Sequence, residues 1–143
     1  YNAGGDNALI DQLKGTANFR TGFWQGYYGK DVEFIIDLGE LKWFQTIKVG
    51  ALQDIKSWIW FPPQIEVWVA GSRRGHMKES GKVMNDFPDN KEGAFIKEYV
   101  RDFNRPIQSR FIKIKVSNYG PCPDWHLGAG NPTWIFLDEV VIE

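Results

Sequence analysis

The sequence of 143 residues contains one cysteine, two histidines and no long apolar run. A single cysteine, Cys122, excludes an internal disulfide, and the few Cys and His residues disfavour a zinc site of the usual four-ligand kind. The apolar stretches fall well short of the roughly 20 residues that a membrane-spanning helix needs. We therefore expect an ordinary hydrophobic core to hold this chain together.

An excess of either charge is also missing, because 17 Lys and Arg residues balance 18 Asp and Glu residues, which gives a formal net charge of −1. Nucleic-acid binding and attachment to anionic lipid both rely on clustered cationic surface, so neither is favoured. Charged residues make up 24% of the chain and hydrophobic residues 43%, as in folded domains. Since no repeat or linker divides the sequence, residues 1–143 are predicted to form a single domain.

Alternation of apolar and polar residues predicts β-strands at residues 32–38, 44–52, 64–69, 95–100, 111–116 and 134–142. In residues 111–116, Ile112, Ile114 and Val116 are expected to face the core and the two lysines to face water. A helix is predicted only at residues 8–13. Short strands with turn-rich connections and little helix indicate an all-β sandwich or jelly roll.

Aromatic residues are abundant, with seven Trp, five Tyr and ten Phe, and several lie in segments rich in Gly and Pro. Three long connections carry them, at residues 19–30, 53–63 and 118–133. Long loops on a rigid sandwich are common places for binding residues. An aromatic ring can pack on the apolar face of a sugar while nearby polar groups bind its hydroxyls, so these loops are candidates for a ligand site.

Groups suited to catalysis are sparse. Cys122, Asp124 and His126 are close in sequence, but a loop interrupted by proline gives little support for a Cys–His nucleophile pair. No pair of carboxylates is distinguished by spacing as the acid and base of a glycosidase. The sequence therefore predicts a module that is not itself an enzyme.

Several segments occur in the order typical of one fold family, at residues 7–11, 36–39, 64–70, 110–114 and 137–140. Together they resemble the discoidin, or coagulation factor V/VIII type C, domain and the related family-32 carbohydrate-binding modules. The resemblance covers nearly the whole chain. It implies an eight-stranded antiparallel jelly-roll β-sandwich of the galactose-binding-domain type, monomeric as an isolated domain.

A narrower resemblance involves residues 15–27, 52–62 and 125–130, which are similar to the C-terminal modules of bacterial family-20 β-hexosaminidases. It implies a catalytic domain in the same protein, a carbohydrate ligand such as galactose or an N-acetylhexosamine, and a secreted, periplasmic or cell-surface location. The candidates for stacking on the sugar are Trp24, Tyr27, Tyr28, Trp58, Trp60 and Trp125. Those for contacting hydroxyls are Arg20, Gln53, Asp54 and His126. In the alternative interpretation, Trp24 and Trp60 pack in the core beneath the loops.

The resemblance also implies one structural Ca²⁺ where the N-terminal segment meets the last strand. The matching ligands are the carbonyls of Ala8, Leu13 and Asp138, oxygen atoms of Asp11 and Thr16, and the carboxylate of Glu139. Such a mixture of carboxylates and carbonyls suits a hard cation. In the alternative, Asp11 caps a turn and Glu139 is a solvated strand residue.

Two other functions remain open. The loop aromatics could dock on the parent catalytic domain and bind no free sugar. Residues 58–61, Trp-Ile-Trp-Phe, could instead enter a lipid surface as in the coagulation-factor relatives, although the slightly acidic net charge disfavours membrane lipid.

Overall fold

The structure is a computed structural model that describes residues 24–71 and 73–143. Its six strands are β1 (Gln25–Tyr28), β2 (Val32–Asp54), β3 (Gln64–Ala70), β4 (Lys78–Met84), β5 (Ala94–Val116) and β6 (Trp134–Ile142). Two short 3-10 turns, Ile55–Ser57 and Arg74–His76, are the only helical elements of the described residues. The helix predicted at residues 8–13 lies outside them.

The strands pair in the order β1-β6-β2-β5-β3-β4, and every pairing of neighbouring strands is antiparallel. The two 23-residue strands, β2 and β5, each run through both halves of this sheet. Residues 32–37 of β2 pair with residues 111–116 of β5, beside β3, whereas residues 46–54 pair with residues 94–102 and lie beside β6. The sheet thus folds into two layers, as a jelly roll requires.

The predicted all-β class and the jelly-roll fold are confirmed, and the described residues form six strands where eight were predicted for the whole chain. The strands expected at residues 32–38 and 44–52 are continuous as β2, and those at 95–100 and 111–116 are continuous as β5. The corner in β2 follows Asp37, where the pairing register with β5 shifts before Lys42. Gly39 adopts a positive φ of 86° there, and its N–H donates to the Asp37 carboxylate.

The core lies between the two layers and draws one cluster of buried side chains from both of them. Ile112, Ile114 and Val116 are fully buried, while Lys113 and Lys115 are on the opposite face of β5 and only half-buried. This arrangement confirms the inward and outward faces predicted for residues 111–116. Among the described residues, no helix has the length and hydropathy needed to cross a membrane.

Candidate functional site

Several connections meet at one end of the sandwich, among them residues 55–63 after β2, residues 85–93 between β4 and β5, and residues 117–133 between β5 and β6. The segment 85–93 was not among the loops predicted to carry the site. Trp60 Nε1 donates a hydrogen bond to the Asp89 carbonyl at 2.8 Å, and Gln53 Nε2 donates to the Pro88 carbonyl at 3.0 Å. The Tyr119 hydroxyl donates to the Asp89 carboxylate at 2.6 Å. These contacts fix segment 85–93 against the other two.

Trp60 lies at the centre of this end of the molecule and is fully buried. Its indole stacks on Tyr119, with ring centroids 5.0 Å apart and planes inclined by 15°. Ile55 and Cys122 belong to the same buried cluster. Because burial raises the pKa of the Cys122 thiol, that residue is disfavoured as a thiolate nucleophile. Trp60 supports the loops from beneath and has no surface to offer a ligand.

Above Trp60, a cleft of about 400 Å³ opens between the loops. It is lined by Ile55, Lys56, Trp58, Glu92, Trp125, His126 and Leu127. Trp125 is 54% exposed and Leu127 is fully exposed, so both project beside the opening. Of the predicted ligand-binding residues, the structure brings Trp58, Trp125 and His126 together in this cleft.

Trp58 is held in the cleft by its backbone and by a close neighbour. Its φ is 64°, in the left-handed region that residues other than glycine seldom adopt, and its N–H donates to the Ile55 carbonyl. Gly128 packs against the indole so closely that a Cβ there would lie 2.7 Å from a ring carbon of Trp58. Strained backbone of this kind is often retained where a side chain must be aimed at a ligand.

His126 fastens loop 117–133 to the turn after β2. Its Nε2 lies 2.6 Å from the Ile55 carbonyl oxygen, and its Nδ1 accepts the Gly128 N–H at 2.9 Å. This pair of contacts places the ring hydrogen on Nε2. The ring also packs edge-on against Trp58, Trp60 and Trp125. Both nitrogens are engaged within the protein, so His126 orients the aromatic side chains of the cleft.

The other candidates lie away from the cleft surface. Trp24 and Gln53 are fully buried, as the alternative interpretation placed Trp24. Tyr27 packs against the core, and Tyr28 is 45% exposed but packs on Trp134, with ring centroids 4.9 Å apart. Both tyrosines belong to β1 in a segment predicted to be a loop.

The remaining polar candidates divide between the second loop and the part of the chain that is not described. Asp54 is half-buried and accepts a hydrogen bond from the Ser57 hydroxyl at 3.4 Å. Arg20 lies outside the described residues. Lys56, Glu92 and Leu127 line the cleft but were not predicted. Lys56 and Leu127 fall inside loops that the sequence did indicate, whereas no pattern singles out Glu92.

The lipid-insertion hypothesis required residues 58–61 to project as an apolar spike. In the structure Ile59, Trp60 and Phe61 are each at most 1% exposed. Ile59 forms isolated bridges with Asp54 and Trp134, which draws the segment into the sandwich. Residues 59–61 are therefore part of the core, and the prediction that they project as an apolar spike is wrong.

Asp138 and Glu139, the described members of the expected calcium site, lie at a bulge in β6. Val49 pairs with Val140 but Ala51 pairs with Leu137, so two residues of β6 face one residue of β2, Gly50. Both acidic side chains are nearly fully buried, and a Cβ on Gly50 would lie 1.9 Å from Asp138 Oδ1. Carboxylate oxygens are among the ligands that a hard cation such as Ca²⁺ takes.

The expected ligands Ala8, Asp11, Leu13 and Thr16 lie outside the described residues. Within residues 24–71 and 73–143, no group of three or more His, Cys, Asp and Glu side chains is arranged to hold a metal ion.

No protein-family model matches the sequence, and no curated protein matches it. Solved structures do match. A fucolectin from the serum of striped bass, Morone saxatilis, is 14% identical with a TM-score of 0.62; the match covers 99% of this chain and 42% of the fucolectin chain. A family-32 carbohydrate-binding module from a family-31 glycoside hydrolase of Clostridium perfringens is 14% identical with a TM-score of 0.56, covering 99% and 86% of the two chains.

A chitosan-binding module from a chitosanase/glucanase of Paenibacillus sp. is 8% identical with a TM-score of 0.53, and the match covers 95% of this chain and 82% of that module. Identities at this level establish the fold. The chain has the discoidin-like β-sandwich fold of fucolectin and the family-32 carbohydrate-binding modules.

Proposed function

We propose that this chain is a non-catalytic carbohydrate-binding module that positions an exported glycoside hydrolase on its glycans. The observation that carries the proposal is the cleft between Trp58 and Trp125, in which two indoles accompany a lysine and a glutamate. The solved structures with this fold include modules named for binding carbohydrate, which supports the same class of ligand. The resemblance to β-N-acetylhexosaminidase modules suggests the parent enzyme and a secreted, periplasmic or cell-surface location.

The chemistry of the cleft suits a single terminal sugar. An indole can cover the C–H face of a pyranose ring, and the charged groups opposite can exchange hydrogen bonds with its hydroxyls. A cleft of about 400 Å³ falls within the range of small-molecule sites. One such contact gives modest affinity, roughly millimolar to micromolar, and tethering to the parent enzyme adds avidity.

We also propose that the module holds one structural Ca²⁺ at the β6 bulge. The Glu139 carboxylate and the Asp138 carbonyl are the proposed ligands from β6, joined by Ala8, Asp11, Leu13 and Thr16. The ion would tie the N-terminal segment to the last strand. The two buried acidic side chains support this proposal.

Titration of the chain with methyl glycosides of galactose, N-acetylgalactosamine and N-acetylglucosamine tests the carbohydrate ligand. We expect saturable binding to at least one of them, and a loss of at least about tenfold in Trp125→Ala, because the exposed indole is a large part of the contact area. Trp43→Ala is the matched control, since Trp43 is 68% exposed but lies outside the cleft. Absence of binding to these sugars and across a glycan array would contradict the proposal.

A second candidate is an accessory role in which the module docks on its parent catalytic domain. A groove of about 330 Å³ that includes Trp43 and Phe44 favours it, and Leu41 nearby is 45% exposed. Exposed apolar patches often mark protein contacts. Small-angle scattering of the full-length parent distinguishes the two roles: docking through this groove predicts that Trp43→Ser extends the particle, whereas an unchanged profile argues against docking there.

A further inference from the structure

We infer that the Lys56–Glu92 ion pair binds two adjacent hydroxyls of the sugar; this inference rests on the proposed function. Lys56 belongs to the turn after β2, and Glu92 belongs to segment 85–93. Lys56 Nζ lies 3.5 Å from Glu92 Oε2. The pair therefore joins two loops within the lining of the cleft.

The two charged groups are accessible to a ligand. Each side chain is 71% exposed, and at that exposure their attraction is weak and easily replaced by bonds to a third group. The loops that carry them are fixed from below, by Trp60 and Tyr119 through Asp89 and by His126 through Ile55. The positions of the charges are set by the scaffold, while the charged ends remain free to turn toward a sugar.

The separation of the charges fits a pair of neighbouring hydroxyls. An ammonium group only donates hydrogen bonds and a carboxylate only accepts them. Adjacent hydroxyl oxygens on a pyranose ring are separated by about the length of one hydrogen bond, roughly 2.8 Å. One hydroxyl can accept from Lys56 while its neighbour donates to Glu92. Both bonds are charge-assisted, which strengthens them relative to bonds between neutral groups.

The test measures the affinity of neutral glycosides for three forms of the protein. The probes are the methyl glycosides of galactose, N-acetylgalactosamine and N-acetylglucosamine. Affinities are measured by NMR titration of the wild type, Lys56→Met and Glu92→Gln. Glu79→Gln is the matched control, because Glu79 forms a comparable exposed ion pair with Lys82, with N and O 3.9 Å apart, on β4.

Loss of one charge-assisted bond should weaken the binding of the preferred glycoside about three- to tenfold in either cleft variant. Glu79→Gln should match the wild type within about twofold.

Neutral-sugar affinity that is unchanged in both Lys56→Met and Glu92→Gln overturns the inference while leaving the proposed function standing. Failure of the wild type to bind any probe overturns the proposed function, and the inference with it. Both substituted side chains are mostly solvent-exposed, so a melting curve is expected to show that the variants remain folded.

Discussion

At the scale of single residues, the cleft depends on contacts that hold each indole in one orientation. Gly128 is buried and lies against Trp58, where a Cβ would meet ring carbons at 2.7 and 2.8 Å. Gly128→Ala should therefore push the Trp58 indole out of place and weaken sugar binding by about tenfold. Isothermal titration with the preferred methyl glycoside measures this loss.

The matched control for that substitution is Gly75→Ala, since no atom lies within 4 Å of a Cβ built at Gly75. It should bind as the wild type does. Equal affinity of Gly128→Ala and Gly75→Ala would show that the position of the Trp58 indole does not matter to the ligand.

Tyr119 gives a pH-dependent test of how segment 85–93 is held. Burial, followed by the hydrogen bond to Asp89, raises the pKa of Tyr119 to about 12. The pKa of a tyrosine in the unfolded chain is about 10, so folding stabilises the protonated phenol. Its contribution to stability is complete below about pH 10 and is lost as the pH rises through about 12.

Tyr119→Phe should lower the free energy of unfolding by about 1 kcal/mol at pH 8, because it removes a hydrogen bond. The difference from the wild type should shrink as the pH is raised from 10 to 12. Urea unfolding of both proteins across that range measures it, and other tyrosines titrate equally in both. A difference that stays constant with pH would mean that Tyr119 does not hold Asp89 through its hydroxyl.

Which tryptophans face a ligand could not be predicted from residue type and spacing. Trp58 and Trp60 lie two positions apart in one loop, yet one lines the cleft and the other is fully buried beneath it. The difference depends on the left-handed backbone of Trp58 and on the bond from Trp60 to Asp89, 29 positions away. Similarly, the role of His126 is set by a carbonyl 71 positions earlier in the chain.

At the scale of elements, the β6 bulge determines where the two acidic side chains point. Gly50→Ala would place a methyl group 1.9 Å from the Asp138 carboxylate, inside the core. Overpacking of this kind costs about 1–3 kcal/mol, so the substitution should destabilise the fold by that amount. Chemical denaturation measures the change, with Gly71→Ala as control because its Cβ meets no atom within 4 Å. Equal stability of the two variants would contradict the packing described at the bulge.

The sequence does carry a signal for this bulge. Ile135 and Leu137 follow one alternation, whereas Val140 and Ile142 follow the opposite phase. A change of phase within a strand requires an extra residue, as in a β-bulge. By contrast, β4 was not predicted, because its sequence Lys-Glu-Ser-Gly-Lys-Val-Met lacks a regular alternation and is recognisable only through its pairing with β3.

At the scale of the whole molecule, the fold was accessible from the sequence because alternation marks most of the strands and the ordered segments resemble one family. The corners where β2 and β5 pass between layers could not be predicted from the sequence. The alternation divides each of these strands into two segments, whereas in the structure each is one strand that pairs along its length. The loops at one end of the sandwich were predicted as a group. Their packing, which creates the cleft, depends on contacts between distant segments.

The calcium proposal predicts a property of the whole domain. Calcium at about one hundred times its Kd should add about 2.7 kcal/mol to the free energy of unfolding, which corresponds to roughly 10 °C in Tm for a domain of this size. Differential scanning calorimetry with calcium and with a chelator measures the shift, and Glu139→Gln should reduce it. An unchanged Tm together with no metal by elemental analysis would contradict the proposal.

The carbohydrate-binding cleft is the central claim, and the indole N–H signals of the tryptophans report on it directly. In a ¹H–¹⁵N titration with the preferred neutral methyl glycoside, the account predicts saturable shifts of the Trp58 and Trp125 signals with one common Kd. The signal of Trp43, exposed but outside the cleft, should stay in place. Shifts confined to Trp43, or no shifts at any indole with the full set of sugars, would contradict the account.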